Sequence, residues 1–443
     1  MSRKVSISVL LLFLALLILP STAVYGQKIS IVITGTREVW MKQMISDYKK
    51  INPGVVIDLN VLAVTASDNQ AKITMMMQSP QTSPDIINED AFKINADSAA
   101  GYLEAIDDRI AAWPEWSQFI DAAKNGVTAV DGKVYAIPDT IDVLGLWYSK
   151  TLFRKAGLPV PFVPKTWKEV SDAAEKIQAL NLPDVIPYFI YTAKTFPERA
   201  SMRLFQPLYN GTGNSLYNYG TKKWTLNRKA ALDVFNYVDY IVNVKKMGPP
   251  LDLGVQNQVE TIIQQDLMKN HKVGIWLSGN WMATNWKTGG RFEWKTVTDE
   301  VGFAKIPTQY GQSPGFTSMS GGWSWAIPRN AKNKDAAWEF MKFMTNKENY
   351  TTFAVLNGEL TARKDVGMDP RYKDPSRIFI PEATDIINYT KFRPSLDIYP
   401  QISILLTESL ESIGTGKTRP ADALKALEAG LLRVIGKDHL IID

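Results

Sequence analysis

The run from Asp131 to Glu169, DGKVYAIPDTIDVLGLWYSKTLFRKAGLPVPFVPKTWKE, constrains the fold more than any other stretch of the chain. Its spacing predicts two extended segments followed by a helix. Val134–Pro138 is a short apolar strand, closed by a proline that has no N–H to give to a central ladder. Val143–Tyr148, rich in β-branched and aromatic residues, is the second. Between them lies PDTID, a polar turn carrying Asp139 and Asp142. Thr166 and Glu169 stand at the spacing of a capping box, Thr166 covering the Glu169 amide while Glu169 reaches back. The helix they open keeps Val170, Ala173, Ala174, Ile177 and Leu180 on one face. On these residues alone, the acidic turn is either a sheet interior or a crossing between two bodies.

The order "DGKVYAIP … D … WYSKTLFRKAGL … PKTWKEV" resembles the middle of an extracellular solute-binding protein of the maltose-binding-protein type. The family usually has Tyr-Asn-Lys where this chain has Tyr148-Ser149-Lys150. Further segments follow in family order: Gly101–Asp107 (GYLEAID), Gly279–Trp281 (GNW), Ser320–Pro328 (SGGWSWAIP) and Asp335–Met344 (DAAWEFMKFM). The resemblance runs from Thr34 to about Ala429. It implies an α/β, two-lobed periplasmic-binding-protein fold of the class II type, with the ligand cleft between lobes joined by hinge crossings. The implied lobes are discontinuous, with crossings at about 139–142, near 299 and near 346. The expected division is a leader over 1–26, a first lobe of 27–139 plus 300–346, and a second of 140–299 plus 347–443.

Composition removes several function classes. The net charge is +5, and two of the positive residues, Arg3 and Lys4, sit in the leader. That excess is too small and too scattered for nucleic acid. Val5–Leu19 is mostly apolar and shorter than the roughly 20 residues of a bilayer span, so residues 1–26 read as a signal peptide. Cleavage is expected at Gly26/Gln27, with Ala23/Val24 as the alternative and an uncleaved anchor as the competing reading. There is no cysteine, which excludes disulfides, thiol nucleophiles, cysteine metal sites and a lipid-modified anchor. A diffusing, unanchored protein then points to the periplasm. The two histidines, His271 and His439, cannot supply a His-x-x-x-His pair. No metal or other cofactor is expected.

Lys28–Gly35 reads as a buried strand, with Thr36 capping a helix whose apolar positions are Trp40, Met41, Met44, Ile45 and Tyr48. A helix mouth leaves free N–H groups, so Thr36 and Arg37 are ligand candidates, with a plain cap beside a solvated arginine as the alternative. Val55–Val64 completes a parallel βαβ unit. A helix around Asn69–Gln78 follows, and Pro84–Ile87 is a third strand that feeds Asn88, Glu89 and Asp90. Polar residues just past the carboxyl end of a parallel strand sit where open α/β sheets bind ligands, which makes Glu89 and Asp90 candidates against a solvated turn. Asp184–Tyr191 is read as a strand of the second lobe. Thr192–Gly213 is read as an irregular binding loop carrying Phe196, Arg199, Arg203, Phe205 and Tyr209. Asn227–Val244, Val259–Lys269 and Pro420–Ile435 are read as helices, and Lys272–Leu277 and Val301–Pro307 as strands. Trp281, after a strand and before a helical turn, can lay its indole on the apolar face of a sugar ring; a core tryptophan is the alternative. Gly322 allows close backbone approach, and Trp323 is placed in the cleft with Trp325 in the core. Arg363 is the last candidate, although Thr361 stands where the family has proline. Asp142 joins the set from the crossing.

The resemblance implies a monomer that captures a sugar or oligosaccharide by lobe closure and hands it to the membrane permease subunits of an ABC importer. Two other classes compete. A glycoside hydrolase would need a carboxylate pair, and the acids here lie too near one another in sequence to define one. A sensor feeding a membrane receptor would use the same cleft. The ligand itself is read as a neutral sugar, with glycerol phosphate or a polyol as the alternative.

Overall fold

The computed structural model describes residues 28–62, 69–195 and 197–443. The expected signal peptide, the end of the second predicted strand and Phe196 lie outside these residues. Along the chain the first strands are β1 (Lys28–Thr34), β2 (Val56–Leu62), β3 (Ile86–Asp90), β4 (Ala136–Thr140), β5 (Leu144–Ser149) and β6 (Ile186–Phe189). They are followed by β7 (Tyr217–Asn218), β8 (Lys223–Leu226), β9 (Val273–Gly279), β10 (Val301–Ala304) and β11 (Ile306–Pro307). The last are β12 (Phe316–Ser320), β13 (Trp323–Ala326), β14 (Thr390–Phe392) and β15 (Leu440–Ile442).

Two mixed sheets organise the molecule. The first has the order β2-β1-β3-β13-β4, the second β10-β5-β9-β6. β1 runs parallel to β2 over its whole length and parallel to β3, as the βαβ reading requires, whereas β13 is antiparallel to both neighbours. The intervening helix Glu38–Ile51 buries Trp40, Met41, Met44, Ile45 and Tyr48, the stripe read from its periodicity. Each such side chain contributes roughly 1.5–3 kcal/mol by leaving water. In the second lobe, helix Trp167–Gln178 packs Val170, Ala173, Ala174 and Ile177 against Tyr188, Ile275 and Leu277. Thr166 Oγ1 accepts from the Glu169 amide at 3.2 Å, while Glu169 reaches back to the Lys165 amide at 2.7 Å.

Several expectations are corrected. Pro138 does not end its strand; it lies within β4, which is an edge strand with a register shift opposite Trp323 and Ser324, where a missing N–H is tolerated. Residues 197–211 are helical rather than irregular, with an α-helical turn at Pro197–Ala200, a π-helical stretch at Ser201–Phe205 and α-helix at Gln206–Gly211. The helix sets Leu204, Phe205 and Leu208 into the core and leaves the arginines at 199 and 203 on a common face. β10 pairs with β5, so residues 301–304 belong to the second sheet, and the chain returns to the first only at β13. Helix Lys347–Asn357 packs beside helix Glu38–Ile51. Phe353 packs on Trp40 with ring centroids 4.7 Å apart, and Arg363 bridges to Phe119.

Candidate functional site

The carboxyl ends of β1, β3 and β9 open towards the crossings β4–β5 and β12–β13, the position where open α/β sheets take ligands. Three backbone contacts tie the crossings together. The Gly322 amide donates to the Asp142 carboxylate at 3.0 Å, the Asp142 amide to Ser320 Oγ at 3.1 Å, and the Trp323 amide to Thr140 Oγ1 at 3.2 Å. Gly322 has φ +74°, and a Cβ there would meet the Thr140 carbonyl at 2.8 Å, so the crossing requires glycine. Gly322→Ala is therefore expected to cost about 1–3 kcal/mol, read as a lower midpoint in denaturant unfolding.

Arg37 is held by the first lobe. It is only 3% exposed, donates from Nε to Asp139 at 2.5 Å and from Nη1 to Thr36 Oγ1 at 3.1 Å, and lies 5.0 Å from the Trp323 ring. Asp139 also accepts from Trp325 Nε1 at 2.9 Å and Asn88 Nδ2 at 3.2 Å. Thr36 does not cap the helix: it lies in the 3-10 turn Gly35–Arg37, and no side chain caps the following helix. Its hydroxyl, exposed, is spent on Arg37 and Thr34.

Two further charge clusters face this floor. Arg393, buried just after β14, donates to Asp90 at 3.1 Å and pairs with Glu198 at 3.1 Å, joining the end of β3 to the helix at Pro197–Ala200. Arg203 and Arg199 both pair with Glu260, and Arg203 lies 4.9 Å from the ring of half-buried Trp281. Trp281 lies over Gly279, where any Cβ would strike its ring. Burial raises Asp142, with the Gly322 N–H and the charges of Arg37, Arg393 and Arg203 opposing it. Burial raises Asp90 too, against Arg393. Burial also pushes Glu260 up, but Arg203 and Arg199 outweigh it and hold that carboxyl below its usual range.

The structure thus brings Thr36, Arg37, Asp90, Asp142, Gly322, Trp323 and Trp281 to one inter-lobe region. It does not bring two others. Glu89 is fully buried: along β3 it faces opposite to Asn88 and Asp90, pairs across to Ser324, and sits beside Asp97 and Lys93. Burial, first, and then Asp97 push its carboxyl well above the usual range. Arg363 is 1% exposed and forks onto Asp365 while also reaching Glu115 and the Thr345 carbonyl, so it clamps the first lobe rather than facing the cleft. The residues that sequence reasoning missed are Asp139 as the Arg37 anchor, Arg393, Glu198 and Glu260. The four-residue spacing of Arg199 and Arg203 was the available signal for that cluster, since it puts both on one helical face. A second inter-lobe groove, about 650 Å³, flanks β14 and includes Ala122, Asn125, Gln206, Tyr217, Tyr219 and Phe392 in its walls.

Comparison with known proteins agrees with this architecture. The chain is 25% identical over 322 residues to a probable ABC transporter-binding protein of Deinococcus radiodurans, covering 70% of each. It is 24% identical over 340 residues to a mannitol-binding protein of Pseudomonas aeruginosa, covering 75% of this chain and 72% of the relative. Its fold matches the crystal structure of the cyclic alpha-maltosyl-1,6-maltose binding protein from Arthrobacter globiformis with a TM-score of 0.77 at 21% identity, over 93% of this chain and 99% of that one. Among the described residues no helix is long and apolar enough to cross a membrane. Residues 34–351 match the model for bacterial extracellular solute-binding proteins, and with its two lobes and inter-lobe cleft the chain belongs to that family.

Proposed function

We propose that this protein captures a neutral sugar or oligosaccharide between its lobes and delivers it to the permease subunits of an ABC importer. The observation that carries the reading is the state of the cleft's charges. Arg37, Arg199, Arg203 and Arg393 are each already engaged by a carboxylate, while the Asp142 carboxylate, among the described residues, accepts only the Gly322 N–H. A phosphate ligand would have to break one of these pairs. A hydroxyl-bearing ligand needs only acceptors and an apolar surface, which Asp142, Asp90 and the indoles of Trp281 and Trp323 offer. The names of the relatives, one a mannitol-binding protein, support a polyhydroxylated ligand and favour a polyol as the second reading. The protein acts as a monomeric binder without enzymatic activity, working in the periplasm after loss of a leader near Gly26.

A thermal-shift screen with maltose, maltotriose, mannitol and glycerol 3-phosphate tests this. A ligand at about one hundred times its dissociation constant adds about 2.7 kcal/mol, a clear rise in Tm. The expected hit is a sugar. Trp281→Ala is expected to weaken it about 30-fold, the roughly 2 kcal/mol of a buried aromatic anchor, measured by calorimetry. A hit with glycerol 3-phosphate alone, or chemical conversion of the sugar, sinks the reading.

A further inference from the structure

We propose that Glu359 is a ligand-contacting residue of the cleft, its carboxylate accepting a hydrogen from a hydroxyl of a bound sugar or polyol. The inference rests on the preceding reading that the ligand is polyhydroxylated. Helix Lys347–Asn357 ends on Gly358, which is left-handed at φ +72°. The amides of Gly358 and Glu359 both return to the Ala354 carbonyl, at 3.0 and 3.1 Å, and the Glu359 carbonyl accepts from Arg377 at 3.1 Å. The backbone of Glu359 is thus fixed on both sides.

Its side chain is not. Among the described residues the carboxyl makes no hydrogen bond and no ion pair, although it is only partly accessible. Other acids of the site are bonded: Asp139 to three side chains, Asp90 to Arg393, Glu260 to two arginines, Asp142 to Gly322. The charges that act on the Glu359 carboxyl are those of Arg37 at the mouth of the first helix, Asp142 and Asp139 on the crossing, Lys287 after the helix Ala283–Trp286, and Arg377. A Cβ on the neighbouring Gly358 would lie 3.4 Å from Lys287 Cδ and 3.7 Å from Thr284 Cγ2. The loop therefore abuts the short helix that follows Trp281, on the opposite lobe. Lys287 donates from Nζ to the Leu356 carbonyl and, among the described residues, makes no ion pair with the acid, although its charge also favours the ionised carboxylate.

Burial pushes the Glu359 carboxyl up to about 7, with Arg37 pulling it down and Asp142 and Asp139 pushing it further up. Ionising it before a ligand binds leaves a part-buried carboxylate that no described residue hydrogen-bonds, which is costly. A hydroxyl donated to it recovers that cost, so binding favours the ionised form and lowers the group's pKa. By linkage, affinity must then rise with pH as Glu359 ionises, from the acid side through neutrality.

The test is calorimetric titration of maltotriose and of mannitol into wild-type protein and Glu359→Gln at about pH 5.5 and about pH 8.5, where each unit of pKa fall on binding gives about tenfold in affinity. The expected result is binding of at least one of these ligands, about tenfold tighter by the wild type at the higher pH, and a flat profile for Glu359→Gln. Its thermal melt should match the wild type at the lower pH, where the native group is itself protonated. Glu359→Asp, which keeps a titrating carboxyl, should keep part of the slope. A flat wild-type profile, or a slope that survives in Glu359→Gln, overturns the proposal and leaves the sugar reading standing. Failure of the wild type to bind either compound at either pH overturns the sugar reading and this proposal with it.

Discussion

Asp139→Ala is expected to destabilise the protein by about 3–5 kcal/mol, the cost of leaving a buried guanidinium without its counter-charge. Arg37 is nearly inaccessible, with Trp323 on one side and Phe353 on another, so water cannot readily replace the lost carboxylate. The same substitution strands the Trp325 indole N–H and the Asn88 amide, each of which donates to Asp139. Tyr350 adds to the junction by donating to the Asp139 carbonyl, an interaction the substitution leaves in place. Denaturant unfolding followed by near-ultraviolet dichroism reads the result, because Trp40, Trp325 and Phe353 pack together beside this pair. Replacing Arg37 and Asp139 together by apolar residues should recover much of the loss, since a matched removal leaves no lone charge. A single-mutant loss below about 1 kcal/mol would mean that Arg37 finds another partner, and the anchored-arginine account of the site would fall.

Arg363→Ala is the second large effect, about 2–3 kcal/mol, because it removes a buried side chain packed on Phe119 and leaves the Thr345 carbonyl without its donor, while Asp365 and Glu115 keep access to solvent. Its guanidinium forks onto Asp365 at 3.0 and 2.7 Å, reaches Glu115 at 2.8 Å and the Thr345 carbonyl at 2.7 Å, and lies 5.3 Å from the Phe119 ring. The variant loses a fork, an ion pair and a packed stem at once, while affinity for a sugar should stay within about twofold if the residue is structural. Arg363→Lys cannot form the fork and should recover only part of the stability. Acid sensitivity gives an independent check. Burial raises Asp365, but Arg363 outweighs it and holds the carboxyl below its ordinary value. A depressed folded-state pKa contributes stability above the unfolded carboxylate pKa and loses it as pH falls through the folded one. The wild type should therefore lose stability on acidification more steeply than Arg363→Ala. A large loss of sugar affinity with unchanged stability would return Arg363 to the cleft.

Local physics carried much of the fold. The stripes of helices Glu38–Ile51 and Trp167–Gln178 were legible because their apolar residues recur at helical spacing, and Pro420–Ile435 because proline marks its start. What failed was anything set by a distant partner. Alternation along β3 puts Asn88 and Asp90 on one face and Glu89 on the other, yet only the pairing with β13 shows which face meets the site. Pro138 reads as a strand end until the edge position of β4 is known. Arg393 carries no periodic or capping signal, and its role comes from Asp90 and Glu198, each far away in sequence. The helix at 197–211 was obscured by polar residues whose charges are satisfied by Glu260 and Arg393 rather than by solvent.

The place of β13 in the first sheet has a consequence for how this chain is made. β13 sits between β3 and β4 but emerges from the ribosome long after both. Until residue 326 has been synthesised, those two strands each have an open edge and no central partner, and the sheet cannot close. The full first sheet is therefore expected to close only after most of the chain has been made. For a member of an extracellular family that delay is an asset, because a polypeptide that has not yet folded is the form that can be threaded through a membrane.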